Sequence, residues 1–203
     1  NRLQLLLLLL VQEELKTGLP TTLRKQIMRK TGMSIEAFMD VDWETHRMCC
    51  RNYDGSQKFL SQFLHGYLPV GKVVHRYNKV KYLQECPSCE EPVEDQVHWL
   101  KCTDPARQQW QATLRAALRK QWHPTSDAPY LVDILDDGLH HWFNDTPFPA
   151  AKYPDTYQEL IRKQGEIGWD QLLYGCFSSQ WSKCQVRFRK ETGLVESSRS
   201  QGP

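Results

Sequence analysis

Four potential metal ligands lie close together near the middle of the chain. The segment CPSC carries Cys86 and Cys89, eight residues separate it from His98, and three more separate His98 from Cys102. A Cys-x-x-Cys pair on a tight turn can direct both sulfurs at one point, and residues four apart share a face of a helix. This spacing favours a fold in which three thiols and one imidazole meet.

The donor set predicts one structural zinc ion. Three sulfurs and one nitrogen complete a tetrahedral shell, which leaves no open position for a substrate or a reactive water. Two alternatives stay open, namely a chance spacing of unrelated residues and a redox-active pair. A redox Cys-x-x-Cys usually lies in a β-α-β setting, whereas Pro87 follows Cys86 and no such pattern surrounds it.

The rest of the sequence predicts a mainly α fold, a multi-helix domain with a small irregular Cys3His zinc-binding centre. Asp104 followed by Pro105 is typical of a helix N-cap with proline at the first helical position. Apolar residues recur about every 3.6 residues from Trp110 to Trp122 and from Leu131 to Trp142. We expect the last helix to carry one continuous apolar stripe from Trp169 to Cys184.

Shifts in composition divide the chain into five segments. A leucine-rich helix is expected near the N-terminus, over residues 3–17. The segments are an N-terminal helical segment (1–54), a zinc-binding module with a preceding basic and aromatic segment (55–110), a helical pair that continues from it (111–145), C-terminal helices after a proline-rich linker (146–194) and a disordered tail (195–203).

A basic and aromatic segment precedes the cysteines. Residues 55–84 contain no Asp or Glu, whereas the zinc loop from Glu85 to Asp95 contains no Lys or Arg. Nucleic-acid phosphates bind basic side chains, and unpaired bases stack on aromatic rings. In the alternative interpretation the basic and acidic segments pair with each other and need no ligand. The candidate nucleic-acid contacts are Lys72, Arg76, Lys79 and Lys81 for phosphates, and Tyr77 and Tyr82 for stacking.

Two further groups of residues receive a structural interpretation. Asp133, Asp136 and Asp137 share a helix face, and no phosphate-binding loop accompanies them, so we expect surface charge. Cys176 and Cys184 fall on the apolar stripe of the last helix, so we expect them to act as small core residues.

Composition excludes some classes of protein. The 26 basic and 24 acidic residues give a net charge of +2, too close to neutral for a histone-like polycation. No apolar run reaches the ~18–20 residues that span a bilayer, so no membrane association is expected. The seven cysteines are odd in number and irregularly spaced, unlike a secreted disulfide framework. We expect an intracellular protein, nuclear or cytoplasmic.

The region around the cysteines also shows an ordered series of motifs. They are FLSQFLHGYLP from Phe59, CPSC, EDQVHWLKC ending at Cys102, and a trailing Pro105, Arg107 and Trp110. In this order they resemble the zinc-binding domain that follows the polymerase in reverse transcriptases of non-LTR retrotransposons. The resemblance covers about 50 of the 203 residues. It implies that Cys86, Cys89, His98 and Cys102 are the ligands and that Glu94 holds the family's acidic position.

The chain departs from this family at two points. Glu90 stands where the family often has glycine, and the polymerase motif Tyr-x-Asp-Asp occurs nowhere in the sequence. The helices from Asp104 to Cys184 are similar to C-terminal regions of reverse-transcriptase-like proteins of algal genomes. The resemblance thus implies a non-catalytic C-terminal region or a decayed remnant, with RNA or DNA and an upstream reverse transcriptase domain as partners. The alternative is a zinc-stabilised helical scaffold for protein interaction without nucleic-acid binding.

Overall fold

The computed structural model describes residues 21–123 and 125–194. The helix expected over residues 3–17 and the tail expected over 195–203 lie outside the described residues. Within them the chain forms ten α-helices and no strand, apart from an isolated antiparallel bridge between Val41 and Ser178. The predicted mainly α fold is therefore confirmed.

The helices are short, and most are separated by turns of a few residues. Three 3-10 helices, Ala150–Lys152, Asp155–Tyr157 and Asp170–Tyr174, lie among the last of them. None of the helices in the described part of the chain is long and apolar enough to cross a bilayer. The α-helices are α1 (Thr21–Thr31), α2 (Ile35–Asp40), α3 (Trp43–Arg51), α4 (Gln57–His65), α5 (Gly71–Tyr77), α6 (Gln96–Lys101), α7 (Pro105–Lys120), α8 (Leu131–Phe143), α9 (Gln158–Ile167) and α10 (Gln180–Glu191).

The chain divides into two compact units. Among the described residues, the first takes in 21–51, His123–Ile134 and 149–194. The second comprises Asn52–Trp122 and Leu135–Phe148. All four predicted metal ligands belong to the second unit.

The first unit has a core at the junction of α2, α3 and α9. Phe38 is fully buried, and its ring centroid lies 4.6 Å from that of Trp43, whose indole Nε1 donates a hydrogen bond to the Phe38 carbonyl. Burial of each large apolar side chain contributes about 1.5–3 kcal/mol. The buried residues of this core are Met33, Ala37, Phe38, Val41, Trp43, Ile167 and Cys176.

The prediction of one continuous apolar helix from Trp169 to Cys184 is wrong. Gly168 and Gly175 adopt positive φ values of 110° and 75°, which a right-handed helix cannot contain. The chain forms a 3-10 helix between them, and α10 begins only at Gln180. Both Cys176 and Cys184 are nevertheless buried, as predicted. Burial raises the pKa of the Cys176 thiol to about 12.

In the second unit, α7 and α8 are joined by a buried ion pair. The interpretation of Asp136 as surface charge is wrong, because the residue is only 5% exposed. Arg115 donates from Nε and Nη2 to the two carboxylate oxygens of Asp136, at 2.6 and 2.8 Å. Arg119, one turn further along α7, donates from Nε at 2.9 Å. A charge at this depth is tolerated because two guanidinium groups hold it.

Candidate metal centre

The first two candidate ligands lie on a turn that closes on itself. The N–H of Cys86 donates to the carbonyl of Glu91 at 2.9 Å, and the N–H of Glu90 donates to the carbonyl of Cys86 at 3.0 Å. Glu90 has a positive φ of 63°, a conformation that glycine adopts more readily than a residue with a side chain. These two bonds and the left-handed residue turn the chain so that Cys86 and Cys89 face the same point.

Helix α6 carries His98, and Cys102 directly follows its last residue. Asp95 precedes its first residue, and the Oδ1 atom of Asp95 accepts a hydrogen bond from the N–H of His98 at 3.0 Å. This N-cap satisfies an amide that the first turn of a helix leaves without a partner. Cys102 is four residues after His98, and its position at the end of the helix keeps its side chain near the imidazole.

The structure brings the four predicted ligands together. Their ligand atoms all lie within 4.8 Å of one another. The Sγ atoms of Cys86 and Cys102 are 3.8 Å apart, and Cys89 Sγ lies 3.3 Å from His98 Nε2. A tetrahedral site with zinc–sulfur bonds of about 2.3 Å has sulfur–sulfur edges of about 3.8 Å. The spacing and the donor types therefore fit one metal ion.

Burial and backbone amides shift the pKa values of the thiols in the centre in opposite directions. Burial raises the pKa of the Cys102 thiol to about 11, although the N–H of Asp104 acts in the opposite direction. The N–H of Glu91 lowers the pKa of Cys89. A divalent ion binds the thiolate forms and releases their protons. The two amides are placed to stabilise the sulfur charge that remains, as outer partners of metal ligands commonly do.

The candidate nucleic-acid contacts lie on α5 and on the turn that follows it. Tyr77, the last residue of α5, is 82% exposed, and Val80 at the tip of the turn is 98% exposed. The side chain of Asn78 shapes this turn, because its Oδ1 atom accepts hydrogen bonds from the N–H groups of Val80 and Lys81. The six predicted contacts all lie within residues 72–82. Those that are exposed are Arg76, Tyr77, Lys79, Lys81 and Tyr82.

One of the six residues makes the pairing that the ligand-free alternative predicted. The Nζ atom of Lys72 lies 3.4 Å from Oδ2 of Asp95. Among the described residues, Arg76, Lys79 and Lys81 form no ion pair with an acidic side chain. The zinc loop thus forms an ion pair with the start of α5. The basic side chains that follow Lys72 remain accessible to solvent.

A cavity beside the metal centre was missed by sequence reasoning. It has a volume of about 330 Å³ and is bordered by Trp99 of α6 and by Arg107 and Trp110 of α7. The Arg107 guanidinium carbon lies 4.3 Å from the ring centroid of Trp99 and 5.4 Å from that of Trp110. Arg107 and Trp110 stand among the motifs, but their contact with Trp99 depends on how α6 packs against α7. Spacing along the chain does not reveal that packing.

Comparison with known proteins identifies no relative. No family model matches the chain, and no curated protein or solved structure matches it. The chemistry of the centre follows from its own donors, three sulfurs and one imidazole nitrogen that can surround a metal ion. Four protein donors fill a tetrahedral shell, and such a shell stabilises the fold around it.

Proposed function

We propose that this chain is a zinc-ordered module that binds single-stranded nucleic acid. The exposed segment from Arg76 to Tyr82 would be its contact surface. The module would be the non-catalytic C-terminal region of a reverse-transcriptase-like protein, acting beside an upstream polymerase domain. The observation that carries the proposal is the exposed basic and aromatic segment in the same unit as the Cys3His quartet.

Zinc is the ion that best suits the four donors. Thiolate and imidazole ligands in a tetrahedral arrangement are typical of structural zinc sites. We expect one zinc ion per chain by elemental analysis, and none in a Cys89→Ala variant, whose shell would lack one sulfur. A variant that keeps its full zinc content would remove Cys89 from the ligand set.

The contact surface suits nucleic acid because it carries basic side chains and exposed aromatic rings. Three basic side chains, those of Arg76, Lys79 and Lys81, are available to phosphates. The Nζ atom of Lys81 also lies 5.2 Å from the ring centroid of Tyr82. The exposed ring of Tyr77 offers a face on which an unpaired base can stack. Duplex reading would require a helix or ribbon long enough to enter a groove, whereas α5 has seven residues.

The test is a double charge reversal, Lys79→Glu with Lys81→Glu. For single strands the logarithm of affinity falls with the logarithm of salt by about 0.7 per phosphate neutralised. Loss of two contacts should therefore weaken binding to oligouridine RNA and to single-stranded DNA at low salt, and reduce the salt slope by about 1.4. Fluorescence anisotropy at several salt concentrations measures both quantities.

The matched control reverses two exposed lysines elsewhere, Lys25→Glu with Lys120→Glu. It changes the net charge of the protein by the same amount. We expect it to alter the affinity much less and to leave the salt slope unchanged. Equal effects from both pairs would mean that net charge alone drives binding, and the contact surface would then be wrong.

Exposed apolar side chains support the second candidate, a scaffold for protein interaction. Val80 and Leu83 are 98% and 68% exposed, and Phe59 of α4 is 42% exposed. A surface of this kind can dock a partner protein by burying apolar area. In that case the protein would bind neither RNA nor DNA at low salt.

A further inference from the structure

We infer that the cavity beside the metal centre takes one unpaired guanine base of a bound strand. The inference rests on the proposed nucleic-acid function and names the base that the second unit selects. The residues that border the cavity include Trp99, Trp110, Arg107, Glu94 and Asp104, together with the metal ligands Cys86 and Cys102.

The walls can stack a planar ligand. The ring centroids of Trp99 and Trp110 are 6.0 Å apart with an interplanar angle of 45°. The Arg107 guanidinium carbon lies within 5.4 Å of both centroids, so three flat groups meet at one place. Unpaired bases stack on tryptophan rings and on arginine planes. The volume of about 330 Å³ lies at the lower end of cavities that bind small molecules.

The carboxylates favour a base that donates hydrogen bonds. Glu94 uses Oε2 to accept from the N–H of Gly71 at 2.7 Å, and Asp104 uses Oδ1 to accept from the N–H of Ala106 at 2.9 Å. Each carboxylate keeps lone pairs for a further donor. Guanine presents N1–H and an N2 amine along one edge, whereas uracil presents a single N–H there. Two acceptors in one cavity therefore discriminate in favour of guanine.

Charge separates the base from its phosphates. Glu94 and Asp104 repel phosphate, so the backbone of a strand must remain outside the cavity. The backbone of Glu94 is also hydrogen-bonded on either side of the contact surface, because its carbonyl accepts from the N–H of Lys72 at 2.9 Å and its N–H donates to the carbonyl of Gln84 at 2.7 Å. The cavity wall is therefore attached directly to the segment that would hold the phosphates.

The experiment compares three oligouridine RNAs that differ at one central position, which is guanosine, inosine or uridine. Inosine lacks only the N2 amine of guanosine. We expect the guanosine probe to bind the full chain about tenfold more tightly than the inosine and uridine probes. Fluorescence anisotropy at one fixed salt concentration measures the three affinities.

Two conservative variants test whether Glu94 and Asp104 cause the preference for guanosine. Glu94→Gln keeps an oxygen that can accept from Gly71, and Asp104→Asn keeps an N-cap oxygen. Each should reduce the preference for guanosine severalfold while the uridine probe binds at least as well, since one repelling charge is gone. Glu91→Gln, an exposed glutamate of the same loop that does not border the cavity, should keep the full preference. Zinc content and far-ultraviolet circular dichroism establish that each variant is folded.

The outcomes separate this inference from the proposed function. If the uridine probe binds with a steep salt dependence but guanosine and inosine bind equally, the base site is wrong and the proposed function stands. The base site is equally wrong if folded Glu94→Gln and Asp104→Asn proteins keep the whole preference. If no probe binds at low salt, both the proposed function and the base site are overturned.

Discussion

Asp136 illustrates what a single residue contributes to the second unit. Burial of its carboxyl raises its pKa, but hydrogen bonds from Arg115 and Arg119 lower it more, and the resulting pKa lies below the ordinary value. The sequence alone predicted surface charge, because the three aspartates of α8 share a helix face and the arginines that pair with Asp136 lie on a different helix. The metal ligands were easier to predict, since the turn and the helix that place them are local structures.

We predict that Asp136→Asn lowers the free energy of unfolding by about 2 kcal/mol at neutral pH. Loss of one partner from a buried pair costs about 3–5 kcal/mol, and the partly exposed arginines reduce this value because water solvates them. Urea unfolding followed by circular dichroism measures the change. Asp54→Asn, which replaces an exposed carboxylate of the same unit, is the control and should change little.

The lowered pKa of Asp136 also predicts that the stability lost in this variant depends on pH. A carboxyl whose pKa is lowered by folding stabilises the protein above its unfolded pKa of about 3.9, and this contribution is lost as the pH falls through the folded pKa. The difference in stability between the wild type and Asp136→Asn should thus be full at pH 7 and shrink below about pH 4. A difference that stays constant down to pH 3 would contradict the assignment.

Helix boundaries show where apolar periodicity is a good guide and where it is not. The pattern predicted α7 and α8, and the N-cap at Asp104 is confirmed. It failed after Trp169, because apolar residues continue at helical spacing while Gly168 and Gly175 adopt positive φ values that interrupt the helix. The turn places Ser178, whose hydroxyl donates to Asp40 of α2, a partner 138 positions away. Local spacing carries no information about such a partner.

A pair of glycine substitutions tests this explanation. Gly175→Ala should destabilise the protein by about 1–2 kcal/mol, because alanine is strained at a φ of 75°. The added Cβ would lie 3.4 Å from Nδ1 of His46, an ordinary contact, so the cost is one of backbone conformation. Gly165→Ala lies within α9 with open space around it and should stabilise by about 0.5–1 kcal/mol. Changes of the same sign in thermal unfolding would refute the assignment of the turn.

At the scale of the whole molecule, the two units differ in what holds them together. The first has a core of seven buried residues. In the second, the buried cysteines Cys86 and Cys102 belong to the metal centre, although apolar side chains are buried there too, namely Leu68, Val70, Leu100, Leu135, Leu139 and Phe143. Composition divided the sequence into consecutive segments, whereas each unit combines stretches that are distant along the chain. Long-range pairings of this kind depend on tertiary contacts that a linear reading of composition does not contain.

We therefore predict that a zinc chelator acts unequally on the two units. Hydrogen–deuterium exchange should accelerate across residues 86–102, because metal binding and folding are coupled there. The amides of α2, whose Ala37 and Phe38 are fully buried in the first unit, should keep their protection. Uniform acceleration, or none at residues 86–102, would contradict this dependence.

A coordination shell completed by protein side chains alone has a spectroscopic consequence. Co²⁺ accepts the same tetrahedral sulfur and nitrogen donors as Zn²⁺, but tetrahedral cobalt thiolates absorb visible light while zinc thiolates are colourless. Exchange of the ion would make the integrity of the Cys3His quartet visible as a colour. The bands could be followed while RNA or denaturant is added, with no dye attached to the chain.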